Sequence, residues 1–112
     1  MTELSTQHCQ ACRAGAPHAT AQQREEFMAQ LPDWEIVSVA GVDRLRREFG
    51  FENFVQALAF TNKVGEIAEQ EGHHPALLTQ WGTVTVEWWS HKIKGLHVND
   101  FVMAAKTDDL YR

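Results

Sequence analysis

Hydrophobic and polar residues alternate in two separate parts of the chain, and this alternation predicts two β-hairpins. The four strands are expected over residues 34–39, 42–49, 76–80 and 83–89. The first hairpin turns at Ala40-Gly41 and the second at Trp81-Gly82, since glycine is typical of tight turns. The last strand is rich in β-branched and aromatic residues, which favour β-structure.

Three other segments carry apolar residues on one face at helical spacing, and these predict helices over residues 20–30, 53–70 and 101–110. Thr20 and Gln23 have the form of a capping box, and Asn99 is the expected N-cap of the last helix. The central helix is expected to end before Gly72 and Pro75. Its buried stripe is expected to consist of Phe54, Val55, Leu58, Ala59, Val64, Ile67 and Ala68.

The element order, α-β-β-α-β-β-α, predicts an α+β fold. Its simplest form is a single four-stranded antiparallel sheet with helices packed on one face. The regular pattern begins at residue 20, so residues 20–112 are predicted to form one domain and residues 1–19 a flexible N-terminal arm. We expect the strand Thr83–Trp88 to present an uncovered edge, which is a template for pairing with a second copy.

The composition is that of an ordinary globular domain. Of the 112 residues, 44% are hydrophobic and 22% are charged, and the formal net charge is -5. This charge argues against direct nucleic-acid binding, and Arg44, Arg46 and Arg47 are interpreted as the solvent-facing side of a strand. No apolar run approaches the roughly 20 residues that cross a bilayer, so we expect no membrane association. The polar N-terminus does not resemble a secretion signal, and a cytoplasmic location is expected.

Cys9 and Cys12 have the spacing of half a zinc site, and His8 and His18 are the candidate remaining ligands. A structural zinc usually needs four ligands at the ends of ordered turns, and this polar segment predicts no such turns. We therefore expect no metal site and two reduced thiols.

Four of the six histidines lie between residues 73 and 97. His73 and His74 are adjacent where the central helix ends, and His91 follows the last strand, so the second hairpin can return the chain to one cleft. Imidazole titrates near pH 6.5 and can donate or accept a proton, which suits a reaction that needs both steps, such as a dehydration. From the residues alone, a structural role in capping and loop bonding is the more common explanation.

Tryptophans cluster in the second hairpin. Trp81, Trp88 and Trp89, with Phe101, are candidates for the wall of a flat heteroaromatic ligand site, but tryptophans in alternating strands more often fill a core or a subunit interface. The chain has no glycine-rich phosphate loop, and Ser90-His91 does not make a nucleophile–base pair. Nucleotide chemistry and covalent catalysis are therefore not indicated.

A pattern of seven residues spans 32 positions of the chain. Its members are Glu69, His73, His74, Pro75, Trp81, His91 and Asp100. This pattern resembles, without a gap, that of the pterin-4a-carbinolamine dehydratase family. Upstream, the stretches 12–17 and 31–34 are similar to bacterial members, in particular to forms that accompany phenylalanine hydroxylase.

The resemblance implies a reaction in which 4a-hydroxytetrahydrobiopterin, or a related bacterial pterin, loses water to give the quinonoid dihydropterin. This reaction recycles the cofactor of aromatic amino acid hydroxylases. The resemblance also implies that His73, His74 and His91 are catalytic and that neither a metal nor an organic cofactor takes part. The residues implied to bind or support the substrate are Glu69, Pro75, Trp81, Ser90 and Asp100.

The sequence departs from the family at several positions. Gly72 stands where many relatives carry an acidic residue, and Leu77, Ser90 and His97 also differ from frequent family choices, so altered substrate contacts are expected with activity retained. The resemblance further implies a homodimer or homotetramer. Animal members are dimerisation partners of a homeodomain transcription factor, so the alternative function is a non-catalytic regulatory partner of the same fold. The complete set of catalytic positions favours the enzyme.

Overall fold

The computed structural model describes residues 3–8 and 16–111. A short 3-10 helix, Leu4–Thr6, precedes seven main elements. These are α1 (Ala21–Met28), β1 (Glu35–Val39), β2 (Val42–Gly50), α2 (Phe54–Glu71), β3 (Ala76–Gln80), β4 (Thr83–Trp88) and α3 (Val98–Leu110). The predicted element order and the α+β fold are confirmed. Within the described part of the chain, no helix combines the length and the apolar character needed to span a membrane.

The four strands form one antiparallel sheet in the order β1-β2-β4-β3. Successive side chains of a strand point to opposite faces, and the buried ones share one face. They are Leu45 and Phe49 of β2 and Val84, Val86 and Trp88 of β4. Helices α2 and α3 lie against this face, so the hydrophobic core is formed between the sheet and these two helices.

β4 is a central strand, so the prediction that Thr83–Trp88 forms an uncovered edge is wrong. Thr85 pairs with Glu48 of β2 on one side and with Leu78 of β3 on the other. The edges of the sheet are β1 and β3. The sequence pattern gives the two hairpins, but it does not show which strand of one hairpin docks on which strand of the other.

The N-cap of α2 is Asn53, the first residue of the predicted helix, and its Oδ1 accepts a hydrogen bond from the backbone N–H of Gln56 at 2.9 Å. The predicted buried stripe is partly wrong, because four of its members are exposed: Ala59, Phe54 by 43%, Val55 by 75% and Leu58 by 43%. The side chains that are buried are Ala57, Phe60, Val64 and Ala68. At 100° per residue, Leu58 lies about 100° and Val55 about 160° around the helix from Ala57. The docking of the helix on the sheet therefore sets which apolar residues are covered.

α3 begins one residue earlier than its predicted cap, so Asn99 as N-cap is wrong and His97 takes this position. The Nδ1 of His97 accepts from the backbone N–H of Asn99 at 3.0 Å, and the Asp100 carboxylate accepts from the backbone N–H of His97 at 2.9 Å. Asparagine is a far more common N-cap than histidine, which is why the sequence pattern favoured the wrong residue.

Residues 3–8 and 16–19 lie against the domain, whereas a flexible arm was predicted for residues 1–19. Leu4 is fully buried against α3, and the Lys106 ammonium donates to the backbone carbonyl of Ser5 at 3.0 Å. The backbone N–H of Ala19 donates to the carbonyl of Leu96 at 2.8 Å. A single buried leucine in a polar segment has no periodicity that reveals its burial. The division of the chain at residue 19 stays a prediction.

Replacing Leu4 by alanine tests the packing of the N-terminal segment. Because Leu4 has no solvent exposure, we expect Leu4→Ala to lower the free energy of unfolding by about 2–4 kcal/mol. Urea denaturation measures this change. The matched control is Leu58→Ala, which shortens a leucine that is 43% exposed and is expected to cost less than about 1 kcal/mol. Equal small losses in both variants would contradict the packing of Leu4.

Candidate active site

An open cleft of about 360 Å³ lies where α2 and β4 end. Its lining residues are Gly72, His73, His74, His91 and Lys92. The structure thus brings the three predicted catalytic histidines to one place. Two come from the turn between α2 and β3, and the third from the loop after β4. The volume falls within the range of small-molecule sites.

The turn between α2 and β3 points its two histidines in different directions. Gly72 has the left-handed conformation (φ 64°), and its N–H donates to the carbonyl of Glu69 at 3.3 Å. The N–H of His73 reaches back to the carbonyl of Ala68 at 3.1 Å, which completes a Schellman motif. As a result, the side chain of His73 is only 5% exposed, whereas that of His74 is 61% exposed.

His73 is held by a buried carboxylate and a buried indole. Its Nε2–H donates to Oδ1 of Asp100 at 2.6 Å. Its ring is stacked with that of Trp88, with centroids 5.8 Å apart and planes 7° apart. A carboxylate oxygen accepts this hydrogen bond from Nε2–H, and Nδ1 is the other nitrogen of the ring. The interpretation of Trp88 as a core residue is confirmed.

Asp100 accepts hydrogen bonds from three separate segments. Besides His73, the Ser90 hydroxyl donates to Oδ2 at 2.8 Å and the His97 backbone N–H donates to the same oxygen at 2.9 Å. Asp100 also stands in the first turn of α3, where the helix dipole favours a negative charge. Ser90 and Asp100 are both fully buried. Both were predicted to bind or support the substrate, and their burial places them beneath the cleft, in contact with His73 or with each other.

His74 and Glu69 form a pair at the rim of the cleft. The His74 Nε2–H donates to Oε2 of Glu69 at 2.5 Å, and the Glu69 side chain is 78% exposed. Glu69 lies in the last turns of α2, so the helix brings its carboxylate beside the turn. Exposed ion pairs of this kind add little stability. The rim is therefore free to rearrange around a ligand at small cost.

The loop that begins with His91 is closed by Ser90 and Gly95, with the Ser90 N–H donating to the Gly95 carbonyl at 2.8 Å. The His18 Nε2–H donates to the carbonyl of Ile93 in this loop at 3.0 Å. Gly95 leaves room for the His18 ring, since a Cβ atom at this position would lie 2.7 Å from it. His18, a candidate zinc ligand in the sequence, is thus a contact to the His91 loop.

Of the predicted site residues, only the three histidines line the cleft. Glu69 pairs with His74, Ser90 and Asp100 are buried, and Trp81 and Pro75 lie elsewhere. Trp81 lies in the turn of the second hairpin and is 72% exposed. From Ala76, where β3 begins, to Trp81 is roughly 16 Å of extended strand. Within one chain, Trp81 is therefore at the far end of β3 from the histidines. Pro75 is half-buried and ends the turn that carries them.

Lys92 is a cleft residue that sequence reasoning missed, and its position next to His91 was the only signal for it. Trp89 was also interpreted as a core or interface residue; it is partly buried against the core, and its ring also lies 4.4 Å from the His91 ring. Among residues 3–8 and 16–111, no three side chains of His, Cys, Asp or Glu come together as metal ligands would. Cys9 and Cys12, and with them the predicted zinc half-site, lie outside the described residues.

A protein-family model described as pterin 4 alpha carbinolamine dehydratase matches residues 17–110 of the chain. The chain belongs to this family. A protein of Syntrophotalea carbinolica is 60% identical over 110 residues, which cover 98% of each chain. One of Nitrosococcus oceani is 58% identical over 112 residues, which cover 100% of this chain and 99% of the relative. Both are named "Putative pterin-4-alpha-carbinolamine dehydratase".

A solved structure shows the same fold. It is described as a transcriptional coactivator/pterin dehydratase from Brucella melitensis, and it superposes with a TM-score of 0.76 at 26% identity. The match covers 86% of this chain and 100% of that one. Membership of the pterin-4a-carbinolamine dehydratase family makes this chain a hydro-lyase. Its cleft offers imidazoles, which exchange protons near neutral pH, as a dehydration requires.

Replacing Asp100 by asparagine tests whether this residue supports the dehydratase site. The variant leaves one acceptor oxygen where three donors converge. We expect Asp100→Asn to lower the free energy of unfolding by about 2–4 kcal/mol. It should also slow dehydration about 10- to 100-fold, since His73 loses the partner that orients it. Urea denaturation and steady-state kinetics measure the two effects.

The matched control is Ser90→Ala, which removes one donor and leaves the Asp100–His73 bond intact. It should cost about 1 kcal/mol and keep most of the turnover. A wild-type rate for folded Asp100→Asn would show that the His73–Asp100 bond does not matter for catalysis.

Proposed function

We propose that this chain is a 4a-hydroxytetrahydrobiopterin dehydratase in which His73, His74 and His91 carry out acid–base catalysis. The observation that carries the proposal is the convergence of these three imidazoles on one cleft. Two separate segments of the chain supply these imidazoles, and His73 and His91 lie 18 positions apart in the sequence. Family membership supports the substrate class and the loss of water.

The reaction needs one proton donor and one proton acceptor. An imidazolium gives its proton to the 4a-hydroxyl as the bond between this oxygen and C4a breaks, and water leaves. A neutral imidazole takes a proton from a ring nitrogen of the pterin, and the product is the quinonoid dihydropterin. One proton is given and one is taken, so the net protonation of the protein does not change.

The three imidazoles have different surroundings, which suits different roles in this reaction. His73 is buried on Asp100, which fixes its orientation and the proton on Nε2. His74 and His91 are exposed, so water and a ligand can reach their rings. Different environments for groups of the same type are a common way to separate the acid from the base.

We infer from the family resemblance that the product returns to an aromatic amino acid hydroxylase, in particular phenylalanine hydroxylase, as recycled cofactor, and that the enzyme acts in the cytoplasm. A homodimer or homotetramer stays a prediction. The strands open to pairing in it are β1 and β3. The alternative function, a non-catalytic regulatory partner, requires that the purified chain has no dehydratase activity.

Alanine substitution of each histidine tests the catalytic proposal. We expect His73→Ala, His74→Ala and His91→Ala each to lower turnover by about 10²–10⁴-fold, as is typical of a lost general acid or base. A double variant should lose much less than the product of the single losses, because the residues act as a unit. The assay follows quinonoid dihydropterin formation, with the uncatalysed dehydration subtracted, and rate against pH should be bell-shaped.

The control is His8→Ala, which removes an imidazole whose side chain is 82% exposed and which contacts Glu71 outside the cleft lining. It should keep wild-type turnover. Circular dichroism checks that each variant is folded. The proposal fails if folded His73→Ala and His91→Ala proteins both turn over at the wild-type rate.

Metal independence is the second expectation from this mechanism. Histidine acid–base chemistry requires no ion, so turnover should survive EDTA treatment followed by dialysis. Replacing both Cys9 and Cys12 by serine should also leave turnover nearly unchanged, because both lie outside the seven-residue pattern. Activity that disappears with the chelator and returns with added zinc would replace this mechanism by a metal-dependent one.

A further inference from the structure

The ring of His91 lies in a close, tilted contact with a side chain that the proposed mechanism does not use. The Trp89 and His91 ring centroids are 4.4 Å apart, and the planes are inclined by 34°. His91 itself is exposed and lies in a loop, so the hydrophobic core does not fix its side-chain conformation. The indole is close enough to limit how far this imidazole can turn.

Trp89 is in turn covered by an arginine of the neighbouring strand. The guanidinium carbon of Arg44 lies 3.8 Å from the centre of the Trp89 ring, which is a close cation–π contact. Leu45 pairs with Trp88, so Arg44 lies opposite Trp89 at the end of the β2–β4 ladder. Arg44 was expected to face solvent, but its side chain is only 20% exposed.

A carboxylate fixes the arginine. Nη1 of Arg44 donates to Oε1 of Glu87 at 2.9 Å, while Nε of Arg46 donates to Oε2 at 2.6 Å. Burial by itself raises the pKa of Glu87, but the hydrogen bonds and charges of Arg46 and Arg44 together outweigh it and lower the pKa below its usual value. Glu87 therefore stays ionised at neutral pH and holds both guanidinium groups.

We propose that Trp89 is a positioning residue for His91, and that Arg44, anchored on Glu87, holds the indole in place. The inference rests on the proposed catalytic role of His91. A general acid or base works only within hydrogen-bond reach of the proton it transfers, and a displacement of about 1 Å can cost as much as 10²-fold in rate. The stack thus supplies, for an exposed histidine, the fixed orientation that Asp100 supplies for His73.

Trp89→Leu removes the stacking surface, and Trp89→Phe keeps an aromatic face. We expect Trp89→Leu to lower kcat about 10-fold with KM changed by less than about 2-fold, since orientation and not affinity is lost. Trp89→Phe should recover most of this loss. If folded Trp89→Leu keeps the wild-type kcat while His91→Ala is strongly impaired, the inference is overturned and the proposed function stands.

Two arginines on the same carboxylate provide a matched comparison. Arg44→Met removes the cation above Trp89, whereas Arg46→Met removes the other partner of Glu87 and leaves the stack in place. We expect kcat to fall about 3-fold or more in Arg44→Met and to stay near the wild-type value in Arg46→Met. Equal losses in the two variants would show that the effect passes through Glu87 and would overturn the part assigned to Arg44.

Proton NMR of the His91 ring tests the geometry without an activity assay. At 4.4 Å from the indole, the His91 ring protons carry a ring-current shift, and the signals missing in His91→Ala assign them. This shift should disappear in Trp89→Leu, decrease in Arg44→Met and persist in Arg46→Met. An unchanged shift in Trp89→Leu would overturn the stack. Wild-type turnover of His91→Ala would instead remove the catalytic role of His91 on which this inference rests, whatever the shift.

Discussion

One buried carboxylate holds together the end of the domain where the cleft lies. Asp100 has no solvent exposure, and it accepts hydrogen bonds from His73, from the Ser90 hydroxyl and from the backbone N–H of His97. A buried charge without partners costs several kcal/mol, and these donors offset that cost. They come from the turn after α2, the end of β4 and the start of α3, so the carboxylate keeps all three segments in a fixed arrangement.

The three histidines of the cleft differ in how far they are exposed to water. His73 is locked between Asp100 and Trp88, His91 lies on Trp89, and His74 reaches only an exposed Glu69. The three rings therefore differ in how firmly their orientation is fixed, from the buried His73 to the exposed His74. The two faces of the sheet differ in the same way. One face is covered by helices, and the other is lined by the charged side chains of β2 and β4.

Local features of this fold could be predicted from the sequence, while features that depend on docking could not. The capping box of Thr20 with Gln23 and the N-cap at Asn53 involve residues three positions apart, and both are present in the structure. The strand order depends on a contact such as that of Arg46 with Glu87, 41 positions away, which no local pattern encodes.

The same distinction applies to the candidate site. The spacing of the histidine pattern indicated one cleft, and the structure places those residues together. The seven-residue pattern includes Trp81, which the β3–β4 turn carries away from the cleft. It does not include Trp89, which the end of β4 brings to His91. The spacing of a motif along the chain gives the identity and the order of its residues. It does not show at which end of a strand each residue lies.

The contact of His18 with the loop after β4 links two positions that are far apart in the sequence. Gly95 does not have a positive φ, so its backbone accepts alanine, but a Cβ atom there would lie 2.7 Å from the His18 ring. Alanine at position 95 is therefore compatible with this fold only if the imidazole swings away or residue 18 has already become smaller. A side chain at position 95 would thus displace the imidazole that donates to the Ile93 carbonyl, so the missing Cβ of Gly95 is what lets residue 18 contact this loop.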